Sequence, residues 1–290
     1  NDFFDSLFPD ESVCAYMKTF LGAIIAGKTK HDLFFFWIGE DSKQTGANGK
    51  STLCALLKET LGDYFLTGNS ACVTTDRGSS KAADPALMSF KGKRFINFQE
   101  IEGIVNMNKI KEWTGGDELE ARDLYKSSET FSPTWNIVTC CNTVPPISSD
   151  DGGVRRRIRK IPFESKFVDD VDDEQWAGMD NIFPMDTGLK DKFKDWKSSL
   201  MTMMIRWYYE LYLERGLGLD VTPDRIKEST EQVFEGQHEE LYEFLSTNIV
   251  QDPDGKKYVK FTDIKFHVSN NISKKYKQKE LYDILRKRYK

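Results

Sequence analysis

The chain has 290 residues with 41 Lys/Arg against 46 Asp/Glu, a net charge of −5. That is enough for two or three compact units with a sizeable core, and the balance excludes a uniformly basic nucleic-acid-coating protein. Five cysteines without a C-x-x-C pair and three histidines argue against a zinc site and for reduced thiols inside a cell, and the apolar piece at 20–26 is too short to span a bilayer.

Residues 1–32 read as helical: Ser12 precedes apolar residues at 13, 16, 17, 20, 21 and 24, and Gly27 follows as a stop. Pattern alone makes this a packing helix. Leu33 to Ile38 are a continuous apolar run, suited to a strand buried on both faces. Positions 53, 56, 57 and 61 have the spacing of a helix face, which Gly62 ends. Between strand and helix lies Gly46-Ala47-Asn48-Gly49-Lys50-Ser51-Thr52. A Gly-rich loop in this frame wraps phosphates with backbone N–H groups at the positive end of the helix. Lys50 would reach the β- and γ-phosphates and Ser51 would hold Mg²⁺. The full pattern wants a glycine where Gln44 stands, so either residues 40–45 are an insertion or Gly46 supplies the turn alone.

Residues 67–83 read as a polar loop. Arg94 to Phe98 form a short apolar strand running into Gln99-Glu100-Ile101-Glu102. A carboxylate at the C-terminal end of a strand coordinates Mg²⁺ or polarises the attacking water in nucleotide-hydrolysing sites. Glu100 is the first candidate and Glu102 the reserve. Gly115-Gly116 breaks a helix, and the segment through Arg122, Tyr125 and Lys126 suits a hairpin with its tip near 126–129. Trp135 to Cys141 is another apolar strand. It ends in Asn142, whose amide either caps a turn or orients a water at a γ-phosphate. Arg155, Arg156, Arg157 and Arg159 lie between a Gly-Gly turn and a short strand ending at Phe163. They form a solvated or phosphate-facing surface, or one of them points at a neighbouring subunit's γ-phosphate.

Residues 164–185 are acidic and irregular. Phe193, Trp196, Leu200, Met203, Met204, Trp207 and Leu211 mark one amphipathic helix laid on a core, ended by Gly216. Helices over 223–234 and 239–248, a β piece at 258–261, a further helix and a basic helix from Gln278 follow the order of a small winged-helix unit. Residues 256–290 carry twelve Lys/Arg against three Asp/Glu, a local excess of nine.

Taken in order, Asn48-Gly49-Lys50-Ser51-Thr52, Gly92-Lys93-Arg94-Phe95 with Glu100 and Glu102, Thr114-Gly115-Gly116-Asp117 with Ala121-Arg122 and Tyr125-Lys126, Asn142 with Pro145, and Asp151-Gly152-Gly153 with Arg156-Arg157-Ile158-Arg159 resemble the superfamily 3 helicases. This is a branch of the AAA+ ATPases, and the match is to the helicase half of primase–helicases from large DNA viruses, phages and plasmids, over roughly residues 10–235. The resemblance implies an α/β AAA+ P-loop ATPase core over residues 33–220, after a helical segment over 1–32 and before a winged-helix-like unit over 221–290. It implies an ATP-dependent DNA helicase of replication, using ATP and Mg²⁺. Lys50, Ser51 and the loop residues from Gly46 to Thr52 would bind the nucleotide, Glu100 would be the Walker B acid, and Asn142 the sensor of the attacking water. Arg156 falls at the arginine finger delivered to a neighbour, with Arg157 the near alternative, and Arg122, Tyr125 and Lys126 would meet DNA on a hairpin. Implied partners are single-stranded or forked DNA, other copies in a ring (usually a hexamer), and a primase domain before Asn1, in the cytoplasm or viral replication site of an infected cell and away from membranes. Two departures stand out: Arg155 where many members have Trp, and Gln99 where most have a first acid. Other readings are a P-loop small-molecule kinase, which leaves the hairpin and arginines without a role, and a non-unwinding ring assembled by ATP.

Overall fold

The computed structural model describes residues 2–27, 31–39, 46–74, 83–214, 219, 221–236, 238–250, 258–272, 276 and 278–288. The insertion expected at 40–45 and the stop at Gly216 lie outside these residues. The chain divides into two units, residues 1–233 and 234–290.

In the first unit, α1 (Asp2–Leu7) leads into α2 (Glu11–Ala26). The cap of α2 is Asp10: its Oδ1 accepts from the backbone N–H of Ser12 and Val13 at 2.8 and 3.1 Å. A carboxylate there also complements the helix dipole. Gly27 ends the helix in the left-handed region, at φ 62°. Then come β1 (Phe34–Gly39), α3 (Lys50–Leu61), β2 (Phe65–Thr67), α4 (Ala71–Thr74), α5 (Pro85–Phe90), β3 (Phe95–Gln99) and α6 (Met107–Thr114). A hairpin of β4 (Leu119–Ala121) and β5 (Glu129–Phe131) precedes β6 (Asn136–Cys141), α7 (Gly152–Arg155) and β7 (Ile158–Phe163). Next are β8 (Lys166–Val168) and β9 (Ile182–Pro184), then α8 (Phe193–Trp207), which runs on as a π-helical stretch, Tyr208–Glu214, and α9 (Asp224–Gly236).

The main sheet has the order β2-β3-β6-β1-β7, with every pair parallel. Phe34 to Trp37 of β1 are completely buried, which is what an uninterrupted apolar run predicts for a central parallel strand. Phe35, Trp37, Phe95, Val138, Ile161 and Phe163 join residues of α2, α3 and α8 in one core, with Phe20 of α2 4.4 Å from Phe35. Beneath the opposite face, the ring of Phe90 meets Trp113 and Trp135 edge-on. The decisive feature is the place of β6 between β1 and β3, because it collects the C-terminal ends of three strands. Ligands of open parallel sheets bind at those ends.

Three expectations need correction. The stretch read as a loop over 67–83 starts at Thr67, the last residue of β2 and paired with Asn97 of β3, and holds the short helix α4. The stretch read as irregular over 164–185 holds β8 and β9, paired in parallel. In the second unit, 258–260 form no strand and Phe261 opens a helix. The unit comprises α10 (Glu239–Asn248), α11 (Phe261–Asn271) and α12 (Gln278–Arg288), with no β wing among the described residues. Phe261, Ile264, Val268 and Ile272 recur at helical spacing into that unit's core, and the stripe overrides the local β preference of Tyr258-Val259.

Candidate active site

The loop between β1 and α3 is shaped by left-handed backbone. Gly46, Ala47 and Gly49 have φ of 101, 52 and 81°. Such turns aim successive N–H groups into one concavity that suits an anion. Four other helices, α2, α5, α6 and α7, are capped by Asp10, Asp84, Asn106 and Asp151, whereas Gly49 leaves α3 without a side-chain cap. Gly39 at the end of β1 makes room: a Cβ there would lie 2.4 Å from Asn48 Oδ1 and 2.7 Å from Lys50 Nζ.

Lys50 is buried and forms no ion pair among the described residues. Burial lowers its pKa, while Cys140, Cys141 and Glu100 oppose that. The thiols beneath it are neutral. A hydrogen bond with Cys54 and burial push Cys140 up, and burial pushes Cys141 up to about 12. The Lys50 ammonium therefore lacks a full counter-charge, a costly state that an anion would relieve. Asn48 donates to Ser165 O at 3.0 Å and keeps its Oδ1 buried without a partner.

A cleft of about 250 Å³ is lined by residues 46–52 together with Gln99, Glu100, Cys140 and Asn142. Three separate sequence signals thus converge. Glu100 continues the β3–β6 ladder, its N–H donating to Cys140 O at 3.1 Å. Its backbone sits at φ 43°, a strained conformation for a non-glycine residue of the kind concentrated at functional sites. Glu102 is exposed in the following loop and does not line the cleft.

One part of the site was invisible in the sequence. The segment after β7 grips the loop: Lys166 Nζ donates to Gly46 O at 3.0 Å and Phe167 N to Ala47 O at 2.9 Å. Ser165 Oγ in turn donates to Ser6 O at 2.6 Å. No motif marks these residues, which lie more than a hundred positions from the loop. A neighbouring apolar cavity of about 390 Å³ shares Ala47, Gly49 and Thr52 with the loop and is walled by Phe3, Leu7, Phe167, Met185 and Leu189.

The arginines fall at the opposite end of the sheet, where Arg157 O accepts from Phe34 N at the start of β1. The six residues of β1 set them about 20 Å from the loop. They are not equivalent. Arg157 is buried and donates to Gly153 O and Asp32 Oδ2, both at 2.9 Å. Arg155 binds Asp150 and Glu231, and Arg159 binds Thr222. Arg156 is 65% exposed and shares with Arg157 the same Asp32 Oδ2, donating to it at 3.2 Å. The β4–β5 hairpin ends in Leu124 and Tyr125; Tyr125 is wholly exposed at φ 58°, and Lys126 pairs with Asp123. Arg122 is half-buried at the base. Among the described residues no cluster of His, Cys, Asp or Glu is placed to hold a metal by itself, and no helix is long and apolar enough to cross a membrane.

Comparison with known proteins gives this geometry a context. Residues 43–157 match a family described as "Family of unknown function (DUF5906)". A protein of Acanthamoeba polyphaga mimivirus named "Putative helicase" is 32% identical over 270 residues, covering 91% of this chain and 27% of that protein. One of Frog virus 3, also named "Putative helicase", is 27% identical over 87% of this chain and 26% of its own length. An African swine fever virus "Putative primase" is 21% identical over 89% of this chain and 26% of its own length. The chain thus spans about a quarter of the length of these relatives. The apo C-terminal region of NrS-1 superposes with a TM-score of 0.56 at 15% identity, over 98% of this chain and 61% of that one, which is a likeness of fold. Over most of its length the chain is therefore similar to one part of proteins named as helicases and primases in large DNA viruses.

Proposed function

We propose that the chain is the ATPase module of a replication helicase of the superfamily 3, AAA+ type, working as a ring of copies (usually six in this family) around single-stranded DNA. The observation that carries the reading is the single cleft shared by the phosphate loop, Lys50, Glu100 and Asn142. In this reading residues 46–52 cradle the phosphates of ATP, and Lys50 neutralises charge that builds on the transferring phosphoryl group. Ser51 and Glu100 hold Mg²⁺, which supplies further charge neutralisation when bound. Glu100 also polarises the attacking water, and Asn142 orients it. The apolar cavity walled by Phe3, Leu7 and Phe167 takes the base. Arg156 faces away from its own cleft and serves the next subunit's, while Tyr125, Lys126 and Arg122 meet DNA.

The test is ATP turnover with and without single-stranded DNA across a protein concentration series, followed by strand separation on a forked substrate. Turnover that rises with protein concentration and with DNA, together with unwinding, supports the motor. Turnover of a small-molecule acceptor instead points to a kinase, and DNA binding without unwinding to a passive ring.

Glu100→Gln is expected to retain nucleotide binding and slow hydrolysis by about 100-fold, with Glu102→Gln close to wild type. The reverse order in a phosphate-release assay moves the role to Glu102. Tyr125→Ala is expected to weaken oligothymidylate binding by about tenfold, since stacking on an exposed ring contributes about 1–3 kcal/mol per base. Fluorescence anisotropy showing the wild-type affinity would make the tip a bystander.

A further inference from the structure

The second unit separates its charges. Residues 234–255 hold six acids and no Lys or Arg, whereas residues 256–290 hold twelve Lys/Arg against three acids. Its core of Leu241, Leu245, Val268, Ile272, Leu281, Ile284 and Leu285 leaves large aromatic rings outside: Tyr258 is 86% and Tyr282 51% exposed. These rings are interleaved with cations. The rings of Phe261 and Tyr282 meet at 5.6 Å, and Lys265 Nζ lies 3.4 Å from Gln278 Oε1, so α11 and α12 run side by side in opposite directions. Lys279, Tyr282 and Arg286, three and four apart, share one exposed face of α12.

We propose that this seam is a second nucleic-acid site, taking a single strand whose bases stack on Tyr258 and Tyr282 and whose phosphates meet Lys265, Lys279 and Arg286. Single exposed rings are ordinary on protein surfaces. Rings set among cations match a polymer that presents a flat apolar base and an anion at every step. A duplex hides its base faces and leaves the rings unused. The site is separate in sequence from the β4–β5 hairpin and uses no residue of the ATP cleft, so it stands whether or not the motor reading holds.

The test uses the full chain without ATP. Ultraviolet cross-linking to labelled oligothymidylate, followed by peptide mapping, is expected to place cross-links within residues 258–286. Tyr258→Ala/Tyr282→Ala is expected to lose about tenfold or more in oligothymidylate affinity while binding inorganic polyphosphate like the wild type. Lys265→Gln/Lys279→Gln/Arg286→Gln weakens both ligands and lowers the salt slope for the oligonucleotide by about 2, at about 0.7 per lost contact. Tyr258→Trp/Tyr282→Trp, which keeps the stacking faces, retains affinity and controls for folding. The proposal is overturned if no cross-link falls in 258–286, if the alanine pair binds oligothymidylate like the wild type, if the tryptophan pair loses as much as the alanine pair, or if both aromatic losses instead abolish binding to phosphatidylserine vesicles.

Discussion

Lys50→Ala is expected to abolish ATP hydrolysis and leave the fold standing. The ammonium it removes is buried, uncompensated by any ion pair among the described residues, and held with a lowered pKa by desolvation. Such a charge opposes folding, so its loss does not lower stability beyond the packing of its aliphatic stem, and Lys50→Met, which keeps the stem, should melt at or above the wild-type temperature. The same feature makes it costly for catalysis to lose. A preorganised cation in a dry cleft stabilises developing charge without reorganising, and deleting one comparable donor costs about 10²–10³ in rate. Phosphate release and thermal melting, measured side by side, separate the two effects. An alanine variant that turns over ATP at the wild-type rate would remove the loop from the chemistry. The lowered pKa adds a sign: nucleotide affinity should fall as pH rises through the folded-state value of Lys50, because only the charged form pairs with phosphate.

Arg156→Ala is expected to lose hydrolysis by about 10³–10⁵, the worth of an arginine finger, without a change in melting temperature. Its side chain is two-thirds exposed and makes one shared contact to Asp32, so little stability rests on it. Arg157→Ala should behave in the opposite way. It removes the buried partner of Asp32 and Gly153 O, costing about 1–3 kcal/mol of stability. Because Arg156 lies at the far end of β1 from its own cleft, its action requires a second chain. Mixing inactive Lys50→Ala and Arg156→Ala proteins should restore part of the activity, as some interfaces pair an intact loop with an intact arginine. Specific activity should also climb with protein concentration. If the mixture stays dead, Arg156→Ala hydrolyses normally and activity per chain is flat on dilution, the trans-acting site is wrong.

What could be read from the residues was whatever is local. The run Leu33 to Ile38, the loop to Thr52 and the stripe from Leu53 to Leu61 each carry their own period, and the structure places β1 and α3 on them. Glu100 and Asn142 could be singled out because each directly follows an apolar strand. That β6 inserts between β1 and β3, and so brings both to Lys50, is a matter of non-local register. β2, β8 and β9 span three residues each, too few for a period to show. Ser165, Lys166 and Phe167 were beyond reach for a different reason: their hydrogen bonds with the loop use a backbone group on at least one side (Ser165 O, Phe167 N, and the Gly46 O that accepts from Lys166 Nζ), and backbone groups leave no trace in residue type. The β piece read at 258–261 failed because four residues were weighed without the apolar positions at 264, 268 and 272 that claim Phe261 for a helix.

The strand β7 has Arg156 just before one end and the Ser165–Phe167 grip on the phosphate loop just after the other. A six-residue strand locked into a sheet is close to inextensible. In a ring, therefore, each chain would be a lever whose one arm feels the neighbour's nucleotide and whose other arm sets the shape of its own loop. Whatever factor the neighbour's occupancy, felt through Arg156, imposed on this chain's nucleotide affinity would be matched by an equal factor in the reverse direction. If Arg156 acts on a neighbouring copy, sequential firing around a ring would need no communication element beyond β7.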